Sequence, residues 1–239
     1  NINGDVHSLY LKNDTLFLGG YFSTVNGLTR RCLASFNVLV GSLTSFAPMM
    51  EGGVNALAAS GDTLYVGGIF NGTINTGAVE RKKLCAFRIS TGAMLPFNPG
   101  VTGPGATVRS LAYKDGLYVA GTFSAIDGEP RINLAVVHPL DSVLPWNPSP
   151  NGHLSTVVAT DAGIYVGGTF SSIGGAVRRN VALLGLDGMA LPWNAQSTNG
   201  VISTVLPVGD VVYLGGGFTE LDGEVRNHAA AVDAATGSL

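Results

Sequence analysis

The chain has 239 residues, of which 12% are charged and 34 are glycine, with a net charge of −3. An average soluble domain carries about 25% charged residues and about 7% glycine, so this one is short of charge and rich in glycine. Coiled coils and disordered chains need more charge than this. Thirteen basic residues without clustering argue against a nucleic-acid surface. No apolar run reaches the ~20 residues of a spanning helix.

Read in chain order, one heptad recurs five times: LFLGGYF at 16–22, LYVGGIF at 64–70, LYVAGTF at 117–123, IYVGGTF at 164–170 and VYLGGGF at 212–218. Each copy closes on a phenylalanine, and these phenylalanines stand 47 to 53 residues apart. An apolar segment precedes each heptad: Val6–Leu11, Val54–Ala58, Val108–Tyr113, Leu154–Ala159 and Val201–Leu206. Turn residues join the two, including Asn13-Asp14, Gly61-Asp62 and Gly209-Asp210, as expected of tight hairpins. A third segment follows at Leu33–Phe36, Leu84–Phe87, Leu134–Val137, Val181–Leu184 and Ala229–Val232. A fourth is a short aromatic-proline segment around Phe46, Phe97, Trp146 and Trp193.

Short apolar segments at regular spacing are strands, and four per unit of about 48 residues is the pattern of a β-propeller blade. The sequence therefore predicts one all-β domain over 1–239. Its blades fall at 1–50, 51–103, 104–150, 151–198 and 199–239, and the last lacks its outermost strand. Either five blades close the ring or they are part of a larger propeller. Glycine in the second strand is expected where a neighbouring blade approaches, and the aromatics are expected to fill the wedge between blades.

The phrase LYVGG-F, then glycine, arginine, a Leu-Ala strand, Thr-Gly-Ser/Ala and Phe/Trp-Asn-Pro resembles the delta-60 repeat β-propeller family over essentially the whole chain. Matching stretches include Ala120–Phe123, Arg131–Ala135, Thr91–Met94 and Phe97–Gly100. That resemblance implies a repeat of secreted or cell-surface proteins, mostly bacterial, and supplies no catalytic motif. Blade two departs from it with an insertion at Asn71–Ala78.

One cation recurs eight residues after the heptad phenylalanine: Arg30, Arg131, Arg178 and Arg226, with Lys82 as the expected equivalent in blade two. Such a ring either presents cations to an anionic ligand or ties each blade together through backbone carbonyls. Loops at Asn26-Gly27, Asp127-Gly128 and Asp222-Gly223 lack an alternating run of oxygen ligands, so no metal is expected, and no cofactor. The four histidines are scattered and no catalytic motif appears. Sequons at Asn13 and Asn71 are possible glycosylation sites on exposed turns. Cys32 and Cys85 begin the third strands of adjacent blades and are expected to be buried free thiols facing one interface.

These features lead to a non-catalytic extracellular or cell-surface scaffold that binds other proteins or surface glycans, without nucleic acid or membrane insertion. A multivalent carbohydrate-binding propeller is the first alternative. A polysaccharide-cleaving enzyme with carboxylates in the central channel is the second.

Overall fold

The computed structural model describes residues 1–73, 80–140, 142–195 and 199–239. The rest of the blade-two insertion, from 74 to 78, lies outside these residues. Among the described residues all the regular structure is β. Each repeat forms one main antiparallel sheet whose first, second and third long strands are neighbours in that order, with small two- or three-stranded sheets in the loops between the second and third. The inner strands are Asp5–Lys12, Val54–Ser60, Thr107–Tyr113, His153–Thr160 and Ile202–Val208. The middle strands, which carry the heptad, are Thr15–Tyr21, Thr63–Gly68, Leu117–Thr122, Gly163–Thr169 and Val211–Gly216. The third strands are Leu33–Asn37, Leu84–Arg88, Leu134–Val137, Val181–Leu184 and Ala229–Asp233.

The fourth strand differs from the expectation. It is a stub that precedes the aromatic segment: Ser42–Leu43 in blade one, and single bridges at Met94, Val143 and Ala190 in the next three. In the fifth blade the Asp233 amide donates to the Ser238 carbonyl at the same place. The aromatic segment is instead an extended crossing to the next blade. Its ring meets the heptad aromatic edge to face in Phe17–Phe46, Tyr65–Phe97, Tyr118–Trp146 and Tyr165–Trp193, with centroids 5.2–5.4 Å apart. The Trp146 and Trp193 indoles then donate to the carbonyls of Gly185 and Asp233 on the following blade. Proline cannot extend a ladder, which suits a crossing better than a strand. The rings do fill the wedge between blades.

Every inner strand carries the same β-bulge. Its register slips between Val6 and Ser8, Val54 and Ala56, Val108 and Ser110, Leu154 and Thr156, and Ile202 and Thr204. This bulge explains the paired glycines, and their roles differ. A Cβ on the second of the pair, as at Gly68, Gly121, Gly168 or Gly216, would overlap a carbonyl oxygen of its own blade's bulge. The first faces the next blade: a Cβ on Gly19, Gly67 or Gly167 would overlap the side chain of Val54, Val108 or Ile202. Blade-to-blade approach therefore depends on the first glycine, not on the one two residues before phenylalanine. Blade three has Ala120 at that first position.

Four interfaces of this kind join successive blades, each inner strand packing on the preceding sheet. Among the described residues, no comparable packing joins blade five to blade one. Cys32 and Cys85 are free, and both belong to the apolar cluster between blades one and two. Burial pushes both thiols above the usual range.

Candidate functional site in the central channel

Inner strands line the centre of a propeller, and the bulge decides which side chains reach it. The extra residue in each bulge is His7, Asn55, Arg109, Ser155 or Ser203. Together these five line one cavity of about 390 Å³. A β-bulge leaves its extra residue outside the ladder and re-aims its side chain. One repeated irregularity thus converts five separate sheets into a ring of five polar groups.

Neighbouring members are linked. The His7 Nδ1 and Asn55 Oδ1 lie 3.3 Å apart, and the Asn55 amide donates to the Val108 carbonyl in the next blade at 3.1 Å. His7 also meets Tyr21 edge to face at 5.4 Å. Arg109 is exposed to the cavity and, among the described residues, has no ion-pair partner. The ring therefore combines one uncompensated guanidinium with an imidazole, an amide and two hydroxyls. A guanidinium presents a planar fork of donors suited to carboxylate or phosphate, and the hydroxyls and amide can add neutral hydrogen bonds around it.

The recurring cations lie elsewhere and are tied to the backbone. Arg30 donates to the Thr29 and Thr44 carbonyls, Arg131 to Pro130 and Leu144, and Arg178 to Val177 and Leu191. Arg226 donates to the Val225 carbonyl. In blade two the equivalent is Arg81, which donates to Glu80 and Leu95. The Arg81 amide bonds the Asn71 carbonyl just as Arg30 bonds Ser23 and Arg131 bonds Ser124. Lys82 is therefore displaced by one position, and it lies on the surface 3.4 Å from Glu80. The insertion obscures this register in the sequence. Arg30, Arg81, Arg131 and Arg178 each cross from the turn after the middle strand to the carbonyl just past the outer stub, so their repetition fits a brace in blades one to four.

Asn13 stands exposed at a hairpin tip with φ near 50°. Asn71 is also exposed and accepts from Lys83 Nζ at 2.5 Å, but Thr73 of its sequon is fully buried. The channel ring was not among the sequence candidates. Its signal is a polar residue directly after the apolar residue that opens each inner strand, as in Val6-His7, Val54-Asn55, Val108-Arg109, Leu154-Ser155 and Ile202-Ser203.

With this geometry described, likenesses to known proteins bear on the fold. The profile described as a domain of unknown function (DUF5122) β-propeller matches residues 163–190, which covers the blade-four middle strand and its continuation. No curated protein sequence matches the chain. Among solved structures, the computationally designed Ika8 protein aligns with a TM-score of 0.61 at 14% identity, over 98% of this chain and 60% of that one. U3-55K aligns at 0.64 and 12% identity, over 100% of this chain and 65% of that one. The WD40 β-propeller domain of Doa1 aligns at 0.58 and 11% identity, over 100% and 68%. The chain thus spans less than two thirds of the length of the first two. Its five radial sheets, the DUF5122 β-propeller match and the WD40 likeness together make this chain a β-propeller.

Proposed function

We propose that the chain is a non-catalytic binding propeller that holds a partner protein at the mouth of its central channel, with Arg109 receiving an acidic group of that partner. The observation that carries this reading is the Arg109 guanidinium, without an ion-pair partner among the described residues, within a ring completed by an imidazole, an amide and two hydroxyls. Loops and bulges displayed by a rigid sheet scaffold are common places for binding. The five ring positions carry four residue types, with serine only in blades four and five, which favours one composite site over five equal sites of a multivalent lectin. A secreted or cell-surface setting is supported by the resemblance to the delta-60 repeat and by the exposed Asn13 turn.

The test is selection of displayed random peptides on the immobilised chain, run beside a glycan array. The expected result is enrichment of peptides bearing Asp or Glu, with Arg109→Ala weakening them about tenfold, equivalent to ~1.4 kcal/mol. Peptides that bind Arg109→Ala equally well would contradict the assigned anchor. Hits confined to the glycan array would favour the carbohydrate-binding alternative.

A further inference from the structure

Two departures from the repeat meet at the junction of blades two and three. Arg30 stands eight residues after Phe22, but Arg81 stands eleven after Phe70. The linker entering blade three is longer as well. Ile2, Met50 and Val101 hold one place, each bridged to the loop after its blade's middle strand. Three residues separate Ile2 from Val6 and Met50 from Val54, but six separate Val101 from Val108. Between the two extra lengths lies a cleft of about 560 Å³. Ile69, Asn71, Lys82 and Lys83 form its blade-two side, and the linker from Val101 to Thr107 forms the other.

The bonds that close this place in other blades are replaced here. Asn3, Asn151 and Asn199 each accept from two amides of the loop that follows the middle strand. Thr102 holds that position in the longer linker. Asn133 and Asn180 reach across to the Gly152 and Gly200 carbonyls of the next blade. Their counterpart in blade two is Lys83, whose amide bonds the Phe70 carbonyl as that of Asn133 bonds Phe123. Lys83 takes the same left-handed backbone, with φ of 66°, which lysine adopts less readily than asparagine. Its ammonium donates to Asn71 of its own blade. A residue kept in a disfavoured conformation without bridging the junction suggests a role in binding.

The lining is rich in donors. Among the described residues Lys83 has no ion-pair partner, and Lys82 pairs with Glu80, which does not line the cleft. The insertion at 71–78 contains no Asp or Glu. Two ammonium groups, the Asn71 amide and the Thr102 hydroxyl therefore face a ligand without competition from a lining carboxylate. A phosphate monoester carries close to two negative charges at neutral pH and offers acceptor oxygens, and lysine serves phosphate as a point charge. Ile69, Val101 and Ala106 add an apolar wall. We propose that this cleft binds a small phosphate monoester, its phosphate between Lys82 and Lys83 and its organic body against that wall.

The test is calorimetric titration with phenyl phosphate, inorganic phosphate and benzoate. Phenyl phosphate should bind at a single site, more tightly than inorganic phosphate, which lacks the organic body, and than benzoate, which lacks the second charge. Lys82→Ala and Lys83→Asn should each weaken it about tenfold, a difference that titration resolves. Lys83→Asn should do so without lowering the thermal midpoint, because asparagine stands at that place in blades three and four. Arg109→Ala should bind phenyl phosphate as the wild type does. No saturable binding up to about 10 mM, beyond the millimolar range of weak affinity, would overturn the proposal. So would unchanged binding in both lysine variants, benzoate or inorganic phosphate binding as tightly as phenyl phosphate, or loss of binding in Arg109→Ala, which would place the anion in the channel.

Discussion

Leu9 and Leu57 hold the same place in successive inner strands, paired with Leu18 and Val66. Leu57 is 6% exposed and Leu9 is 61% exposed. The two residues share a type, a strand and a register, and differ only in whether a preceding blade lies against them. Burial in this molecule is thus set by the junction between blades, more than by the sheet that carries the residue. The fifth blade shows the same effect from its other face, where Tyr213 lacks the neighbour that covers Tyr165.

The paired glycines separate the constraint of the sheet from that of the junction. Gly168 and Gly216 each face a carbonyl of their own bulge. Valine at either should cost at least the ~1–3 kcal/mol typical of overpacking, because a backbone oxygen cannot rotate away. Equal losses of thermal stability are expected for Gly168→Val and Gly216→Val, although one lies inside the arc and the other at its end. Gly167 and Gly215 should part company. Gly167→Val collides with Ile202 of the next blade, whereas Gly215→Val has only its own Thr204 to displace. A larger loss at Gly215 than at Gly167 would break the comparison.

A smaller effect, of opposite sign, is expected just before the third strand. Cys32, Lys83, Asn133, Asn180 and His228 all have φ between 61° and 67°, a left-handed conformation that asparagine tolerates better than most residues. Asn133 and Asn180 exploit it: each accepts from the amide of the heptad phenylalanine and donates to a glycine carbonyl on the next blade, Gly152 or Gly200. Cys32→Asn places the same group at the first junction, beside Gly52. It should stabilise the chain by about 1 kcal/mol, the net worth of a typical hydrogen bond, read as a higher unfolding midpoint in urea. An unchanged midpoint would show that the bridge to the next blade does not form there.

Much of the architecture was legible because the repeat writes it five times. The heptad gives the middle strand, its flanking turns give the hairpin, and the wedge aromatics follow from their spacing. The bulge was not legible, since one extra residue leaves the apolar pattern intact while moving the register by one. With the bulge hidden, the two glycines of the second strand read alike as facing a neighbouring blade, and nothing in the pattern brings His7, Asn55, Arg109, Ser155 and Ser203 together. Arg81 was missed because the insertion in blade two breaks the count from Phe70 that works from Phe22, Phe123, Phe170 and Phe218. The exposed ends were hidden for a different reason. Blades one and five repeat the interior pattern, and sequence alone does not say which copies have neighbours.

Matched truncation of Leu57 and Leu9, measured by denaturant unfolding of dilute protein, tests most directly whether the junction sets burial. Leu57→Ala should lose about 2–5 kcal/mol, as buried leucines do. Leu9→Ala should lose no more than about 0.5 kcal/mol, as exposed positions do. Equal losses at the two positions would contradict a junction origin for burial and would mean that blade one is covered as fully as blade two.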